Sequence, residues 1–329
     1  AAGHGAGLDF IVITDHNTLE ARERQGYHDG LLLAVEMEIT PSIFGNHLLA
    51  LGLDEAGELH RLRRPEAILE ALEAQGGVPW VPHPRGFLNP WCAVWNTPWK
   101  LWDRRIAGIE LSTFLVEWVE GLRPWNVFQR LRRPHRLVAD PDPRVLELWD
   151  RLNRHRPVAG FIGIDAHYRQ KLGGRLRTPS YEWLFGTHNL LAWCPPPGGD
   201  PETDLRALRQ TLLEGRFVNV FAGTGGREPA RFERRGREVH LELPPTPGTQ
   251  VHIFRDGTLL STSEGGGLSL PEPDPGVYRA EVRRDGRLWM LTNPLRVTAA
   301  ATEERVEASR PRAAESAPLL SNHAGSPSL

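Results

Sequence analysis

The sequence predicts an α/β barrel over residues 1–228 and a small antiparallel β-sandwich over residues 229–298. Apolar runs typical of strands alternate with helical patterns through about residue 225, as in α/β layers and barrels. Several of these runs lead within a few residues to His, Asp or Glu, and parallel barrels place their chemistry at the C-terminal ends of strands. Beyond residue 229 the runs are short and Asp-Gly pairs lie beside them, which is typical of hairpins.

Four apolar runs end in residues of metal-binding type. They are 8–14 before Asp15 and His16, 31–35 before Glu36 and Glu38, 78–81 before His83, and 158–164 before Asp165 and His167. A further candidate, His47, opens the run 48–52 instead of closing one. Each of these residues alone has an ordinary alternative, as a polar side chain that satisfies a strand end or, for His47, as a packed core histidine. As an ordered set they favour a metal site.

Two segments of the first region have clear helical signals. Residues 65–72 have helical apolar spacing, with Pro65 suited to the first turn and a Gly-Gly pair at 76–77 as the stop. Residues 201–214 repeat this logic, with Asp200 as a possible N-cap and Gly215 after the last turn. The apolar stripe of the second helix consists of Leu205, Leu208 and Leu212. Residues 216–221 then read as a strand.

The last third of the sequence predicts short antiparallel strands. The candidate strands are 238–243, 250–254, 276–282 and 287–291, and the sandwich closes near 293–297. Asp256-Gly257 and Asp285-Gly286 predict hairpin turns. Residues 299–329 have no aromatics and are rich in Ala, Glu, Ser and Pro, so we expect this tail to be disordered.

Composition excludes several classes of function. The 329 residues are 40% hydrophobic and 24% charged, and a formal net charge of −2 argues against a nucleic-acid or anionic-membrane partner. Cys92 and Cys194 are the two cysteines, too far apart in sequence for a Cys-x-x-Cys zinc site. No apolar stretch reaches the ~18 residues of a membrane span. The sequence opens at Ala1 without Met, so we expect a fragment; a cytoplasmic location is favoured and the oligomeric state stays open.

Four motifs in order resemble a known superfamily. They are Thr14-Asp15-His16-Asn17-Thr18, then Glu38-Ile39-Thr40 with Gly45-Asn46-His47, then His83-Pro84, and last Gly163-Ile164-Asp165-Ala166-His167. Together they resemble the polymerase and histidinol phosphatase (PHP) superfamily of metal-dependent hydrolases, and most closely its stand-alone branch with carbaryl-hydrolase-like proteins. The resemblance implies a distorted (β/α)7 barrel that holds two or three divalent metal ions, commonly zinc, manganese or iron.

The resemblance also assigns roles to residues. The metal-ligand candidates are His16, Glu38, His47, His83, Asp165 and His167. Glu38 is preferred to Glu36 because it occupies the family's Glu-x-Thr position. Asp15 is a ligand or a partner that orients an imidazole, and we count it with the catalytic candidates.

The sequence departs from the superfamily at its start. The family begins with a His-x-His pair at the end of the first strand, and this chain has no such pair. We therefore expect the first strand and its two histidines to be missing, and the chain as given to bind fewer metals or to bind them poorly.

Other residues near the motifs have two interpretations each. Arg85, the second catalytic candidate, is either a clamp for an anionic substrate group or a surface arginine, and Arg169 and Lys171 share this ambiguity. Glu110 is expected to orient its neighbours. The basic segment 123–136 is a solvated face or, less favoured, a surface that steers acidic substrates. A tryptophan stripe is core packing or, less favoured, pocket lining; its members are Trp91, Trp95, Trp99 and Trp102.

The function that follows is hydrolysis of a small-molecule phosphate ester, or of a comparable ester, amide or carbamate, by metal-bound hydroxide. The main alternative is a degenerate, non-catalytic barrel that binds metal or ligand, with the sandwich as an interaction module. A proofreading module of a polymerase is disfavoured, because no polymerase domain follows and the net charge is slightly acidic.

Overall fold

A computed structural model of the chain describes residues 1–41, 46–89, 94–132, 140–167, 171–173, 176–177 and 179–298. The tail expected to be disordered, together with Trp91, Cys92 and Arg169, lies outside these ranges. The strands up to residue 221 are β1 (Phe10–His16), β2 (Gly26–His28), β3 (Leu31–Ile39), β4 (Leu48–Leu51), β5 (Val78–Val81), β6 (Phe87–Asn89), β7 (Val94–Asn96), β8 (Gly108–Thr113), β9 (Ala159–Gly163), β10 (Lys171–Gly173), β11 (Leu176–Arg177), β12 (His188–Ala192) and β13 (Phe217–Phe221).

The later strands carry the C-terminal sheets. They are β14 (Arg231–Arg235), β15 (Glu238–Glu242), β16 (Thr249–Arg255), β17 (Thr258–Glu264), β18 (Leu268–Pro271), β19 (Gly276–Arg284), β20 (Arg287–Thr292) and β21 (Leu295–Val297). The helices are α1 (Ala2–Gly5), α2 (Pro65–Ala74), α3 (Phe114–Glu120), α4 (Val127–Arg132), α5 (Pro143–His155), α6 (Tyr181–Leu184), α7 (Pro201–Leu213) and α8 (Ala222–Gly225).

The first sheet has the strand order β1-β3-β4-β5-β8-β9, with β2 paired to β3. The strands β1, β3, β5, β8 and β9 run in one direction, whereas β4 pairs antiparallel with both of its neighbours. The carboxyl ends of five strands therefore meet at one edge of the sheet, and the amino end of β4 lies at the same edge.

Helices cover both faces of this sheet. The predicted leucine stripe of α7 packs on the face that carries Leu32 and Trp80. On the opposite face α2 packs against Met37 and Val81, and α5 packs against neighbouring residues of β8 and β9. Both predicted helices are confirmed; Asp200 caps α7 by accepting a hydrogen bond from the backbone N–H of Thr203 at 3.0 Å.

The first sheet is curled and forms half of a barrel, and in the part of the chain that the structure describes it does not close into the (β/α)7 barrel implied by the resemblance. Within the described residues β1 pairs with β3 alone and β9 pairs with β8 alone. Beyond β9, side chains replace a strand: Asn219 Nδ2 donates to the Gly160 carbonyl at 2.9 Å, and Gly160 N–H donates to Asn293 Oδ1 at 2.7 Å. The backbone N–H and carbonyl of Gly160 are therefore satisfied by side chains, and not by a further strand on the outer side of β9.

A second sheet is antiparallel and has the order β12-β13-β20-β19-β16-β17, with β21 paired to β19. It contains strands from both sides of residue 228, because β13 pairs with β20. A three-stranded sheet, β14-β15-β18, packs against it through a shared core that includes Leu241, Ile253 and Met290. Both predicted hairpin turns are confirmed, since Asp256-Gly257 and Asp285-Gly286 join paired strands and all four residues have positive φ.

Among the helices of the described residues, none combines the length and the apolar composition that a bilayer crossing requires.

Candidate metal centre

Glu38 lies at the centre of a cluster of histidines at the carboxyl edge of the first sheet. It is the register partner of His16 on β1, and its other neighbour along the sheet is β4, which His47 precedes. One ligand atom from each of Glu38, His16 and His47 can be chosen so that all three lie within 4.8 Å of one another. His47 reaches this edge because β4 runs antiparallel, so that its amino end lies beside the carboxyl ends of β3 and β5.

His83 extends the cluster from the end of β5. Its Nε2 lies 3.5 Å from Glu38 Oε1, and its ring centroid lies 5.0 Å from that of His47. The His47 and His16 rings are 5.5 Å apart, and Nδ1 of His16 lies 3.7 Å from Glu38 Oε2. Three imidazoles from three strand ends thus surround one carboxylate.

His47 provides the test of whether this cluster fits a cation. Its side chain is 15% exposed, and within the described part of the chain both of its ring nitrogens are buried without a hydrogen-bond partner. Nδ1 lies 2.5 Å from Glu38 Oε1, yet the contact does not have hydrogen-bond geometry. Imidazole nitrogen and carboxylate oxygen are the ligands that borderline divalent metals accept, so the residues fit such an ion.

Asp165 and His167 follow β9, the last strand of the first sheet, and His167 approaches the cluster beside His16. The His167 ring centroid lies 5.9 Å from that of His16. Nδ1 of His167 is 2.9 Å from the backbone oxygen of Asp165 and 3.4 Å from its Oδ1. Asp165 has a φ of +51° and His83 a φ of +29°, so two of the predicted ligands occupy backbone conformations that side-chain-bearing residues rarely adopt.

Charges in the cluster favour an ionised carboxylate. Burial by itself would raise the pKa of Glu38, but the imidazoles of His47 and His83 hold it well below its usual value. Burial opposes a positive charge on His83, but Glu38, Glu110 and Asp165 together raise its pKa. The ionised Glu38 carboxylate therefore supplies negative charge at the centre of the cluster, which favours a bound cation.

The two glutamates of β3 have different partners. Glu36 Oε1 accepts a hydrogen bond from Arg209 Nε at 2.8 Å, and Glu36 Oε2 accepts one from Gly52 N–H at 2.7 Å. The structure therefore places Glu38, and not Glu36, among the histidines. This agrees with the preference drawn from the Glu-x-Thr motif.

Glu110, the third residue of β8, orients a ligand candidate as the sequence suggests. Its Oε2 accepts a hydrogen bond from the backbone N–H of His83 at 2.6 Å. The side chain is buried, and burial raises the pKa of Glu110 to about 7. A Cβ added to Gly163 would lie 2.1 Å from Glu110 Oε1, so this carboxyl also packs on the strand that leads to Asp165.

Neither predicted catalytic residue joins the cluster. Asp15 is exposed and alternates with His16 along β1, so it projects from the opposite face of the sheet. Arg85 Nη1 donates to Glu120 Oε1 at 2.9 Å, a second bond joins the same pair, and Asp142 lies 3.4 Å from Arg85 Nε. Both forks of the guanidinium thus face protein carboxylates. The sequence could not show that Glu120 and Asp142 are partners of Arg85, so it left Arg85 as a candidate for binding substrate.

Two residues that sequence reasoning did not assign lie against the cluster. Thr40 Oγ1 is 2.7 Å from His16 Nδ1, and Asn17 holds the Thr40 backbone through its side-chain amide. Both belong to the motifs quoted above, so their place in Asp-His-Asn and Glu-x-Thr was the available signal. Trp99 is buried and Trp102 packs in the same core, as the packing interpretation of the tryptophan stripe expects. For Trp95 and Lys171 the structure describes the backbone and not the side chain.

Comparison with known proteins finds distant likeness to solved structures alone. No protein-family model matches the chain, and no curated protein matches it. Among solved structures, the chain is similar to a two-domain protein from Bacteroides vulgatus ATCC 8482 that contains a "predicted PHP-like metal-dependent phosphoesterase". The two share 14% sequence identity with a TM-score of 0.38, and the match covers 88% of this chain and 87% of that chain.

Proposed function

We propose that this protein is a metal-dependent hydrolase that acts on phosphate esters. The residues that would hold the divalent ions are His16, Glu38, His47, His83, Asp165 and His167. When bound, divalent cations stabilise negative charge on a phosphoryl oxygen and activate water for attack, so no Ser or Cys nucleophile is required.

The observation that carries this proposal is His47. Two buried ring nitrogens without a hydrogen-bond partner are costly in a folded protein unless something else satisfies them. They lie beside Glu38, whose carboxylate is ionised and whose other neighbours are two more imidazoles. A cation in this place binds the lone pair of one of the two His47 nitrogens and neutralises the charge of Glu38.

The exposure of the cluster suggests how substrate reaches it. The side chain of His16 is 42% exposed, whereas those of Glu38 and His83 are 8% and 7% exposed. A substrate approaching from the His16 side meets the ions while the deeper ligands stay shielded from water. Glu110 holds the backbone N–H of His83, and Asp165 adds negative charge on that side.

The choice of a phosphate ester rests on the order of the motifs and on charge. Closely spaced metal ions clamp both the attacking and the leaving oxygen of a phosphoryl group. Arg85, the arginine nearest in sequence to a ligand candidate, is already paired with Glu120. Neutralisation of a phosphoryl group therefore falls to the metal ions in this proposal.

A comparison of Glu38→Gln with Glu36→Gln tests the assignment. Both replace a buried glutamate of β3, but Glu36 contacts Arg209 and Gly52 and lies outside the cluster. Each variant is loaded with Zn²⁺, Mn²⁺ or Fe²⁺, and its bound metal is measured by mass spectrometry. Turnover is then measured with p-nitrophenyl phosphate, bis-p-nitrophenyl phosphate and a p-nitrophenyl carbamate. We expect Glu38→Gln to lose metal and to lower kcat/KM by about 100-fold or more, because ligand loss exceeds the 10–100-fold effect of outer contacts.

Glu36→Gln is expected to retain both metal and turnover. Equal metal content and turnover in wild type and Glu38→Gln would contradict the assigned site. Tight metal binding without turnover on any ester would favour the non-catalytic metal-binding protein. Absence of bound metal in wild type would contradict the proposed function.

A further inference from the structure

Beyond the last paired residues of β1 and β3, a side chain continues the ladder between the two strands. Asn17 N–H donates to the Glu38 carbonyl at 2.9 Å. The Asn17 side chain then does what a backbone peptide would do, since its Oδ1 accepts from Thr40 N–H at 2.7 Å and its Nδ2 donates to the Thr40 carbonyl at 3.0 Å. Asn17 has a φ of +58°, a conformation that asparagine tolerates better than most residues. Thr40 is thereby fixed relative to β1.

The Thr40 hydroxyl, held in this way, contacts the exposed histidine of the cluster. Oγ1 lies 2.7 Å from Nδ1 of His16, whereas the nearest carboxylate oxygen of Glu38 lies 3.7 Å from the same nitrogen. A neutral imidazole carries one proton, and the nitrogen without it is the one that can bind a metal. A partner that accepts a hydrogen bond from Nδ1–H leaves the lone pair of Nε2 free.

We propose that Thr40 is a positioning residue for the metal centre, which accepts the Nδ1–H of His16 and so presents Nε2 to the ion. The Asn17 side chain sets the position of Thr40, and the Asn17 backbone N–H binds the carbonyl of Glu38. One residue thus aligns ligands from two strands. The inference rests on the proposed function in one respect, that His16 is a ligand. It adds which nitrogen binds and which residue selects it.

A purely structural role would not require this contact. The His16 ring is exposed, so water can satisfy Nδ1 and the fold gains little from the Thr40 hydroxyl. The bonds that join the strands are those of Asn17 to backbone atoms, and they do not involve Oγ1. Removal of the hydroxyl alone should therefore leave the fold intact and change the orientation and tautomer of His16.

The test compares Thr40→Val, which keeps the shape and loses the hydroxyl, with Thr40→Ser, which keeps the hydroxyl. Thr262→Val, at an exposed position of β17, is the matched control. The affinity for Zn²⁺ alone is measured by competition with a chromophoric chelator. We expect Thr40→Val to weaken Zn²⁺ binding by about 10–100-fold, the range observed for outer contacts of metal-ligating histidines. The Zn²⁺ affinities of Thr40→Ser and Thr262→Val should stay within about three-fold of that of wild type, because neither variant removes the hydroxyl that contacts His16.

A second readout does not depend on metal. Imidazole ¹⁵N shifts of the metal-free protein, with the His16 signals assigned by comparison with His16→Gln, report which nitrogen carries the proton. The Nδ1–H form in wild type and a shift towards the Nε2–H form in Thr40→Val support the inference. Unchanged Zn²⁺ binding in Thr40→Val overturns the inference. Tighter binding also overturns it and means that Thr40 competes with the ion for Nδ1. A wild-type chain that binds no metal defeats the proposed function instead, and the ¹⁵N shifts still report the tautomer.

Discussion

At the scale of single residues, the buried carboxyl groups of Glu36 and Glu117 are stabilised in different ways. Glu36 is paired with Arg209 and a backbone N–H, so its charge is compensated. Glu117 receives a hydrogen bond from Ser112 Oγ at 2.7 Å, and the same hydroxyl lies 3.0 Å from His188 Nε2. In the described residues Glu117 Oε2 is buried without a partner. Burial raises the pKa of Glu117 to about 8; the charge of Glu110 adds to the shift and that of Arg85 opposes it.

This raised pKa predicts a pH-dependent stability. Between the ordinary pKa of 4.5 and about 8, the folded protein keeps the Glu117 proton while the unfolded chain loses it. Unfolding therefore releases a proton in this window, and the free energy of unfolding falls by up to ~1.4 kcal/mol per pH unit as pH rises. Glu117→Gln lacks this proton. We expect the difference in stability between Glu117→Gln and wild type to shift in favour of the variant from pH 5 to pH 8.

Urea unfolding at pH 5, 6, 7 and 8 measures this difference. Glu58→Gln, at an exposed glutamate paired with Arg61, serves as the control and should follow wild type across the range. If Glu117→Gln and wild type lost stability in parallel, Glu117 would not be protonated in the folded protein.

At the scale of elements, the outer edge of β9 shows how side chains can end a sheet. Asn219 is fully buried, and its Nδ2 donates to the carbonyls of Gly160 and Leu291 at 2.9 Å and 3.2 Å. It thus links the last strand of the half-barrel to the antiparallel sheet. A Cβ on Gly160 would lie 2.4 Å from Trp149 Cζ2, so the close approach of α5 to this strand requires glycine there.

Replacement of Asn219 by leucine should be costly. The side chain keeps the number and branching of its heavy atoms but leaves two buried carbonyls without this donor, and each lost partner costs about 1–3 kcal/mol. We expect Asn219→Leu to lower the free energy of unfolding by about 2 kcal/mol or more, with an unchanged dependence on urea concentration. Gln250→Leu, at an exposed position of β16, should change stability by less than about 0.5 kcal/mol. A loss below this control value for Asn219→Leu would mean that the link is dispensable.

At the scale of the whole molecule, a buried arginine joins the C-terminal sheet to the first half of the chain. Arg279 on β19 donates to both carboxylate oxygens of Asp150 on α5, at 2.7 Å and 2.9 Å, and to Glu281 at 2.8 Å. Its guanidinium lies 4.1 Å from the ring centroid of Phe254. Because β13 also pairs with β20, the two halves share both a sheet and a buried ion pair.

Loss of this arginine should destabilise the entire molecule. Arg279→Met leaves the Asp150 carboxylate without its cation and leaves Glu281 with Arg283 alone, at 3.5 Å; removal of one partner of a buried pair typically costs about 3–5 kcal/mol. Arg235→Met is the matched control, because Arg235 also pairs with two glutamates but lies at the surface. Its unfolding midpoint should hardly change. Equal midpoints for the two variants in thermal unfolding would show that the buried pair does not hold the halves together.

Local patterns determined much of this protein. The proline in the first turn of α2, the Asp200 cap of α7 and the two Asp-Gly hairpins depend on residues within a few positions of one another, so the sequence alone predicts them. The placement of metal-binding residue types at strand ends was visible for the same reason. His16, Glu38 and His83 were singled out from short motifs, and the structure brings them together.

Only the tertiary structure decided which of those side chains meet. The reversal of β4 brings His47 to the carboxyl edge, Glu120 occupies the fork of Arg85, and side-chain amides replace a ladder partner beyond β9. Each depends on a pairing between segments far apart in sequence. Local periodicity reports which face of a strand is buried, but strand order, direction and register are set by the free energy of packing the whole chain.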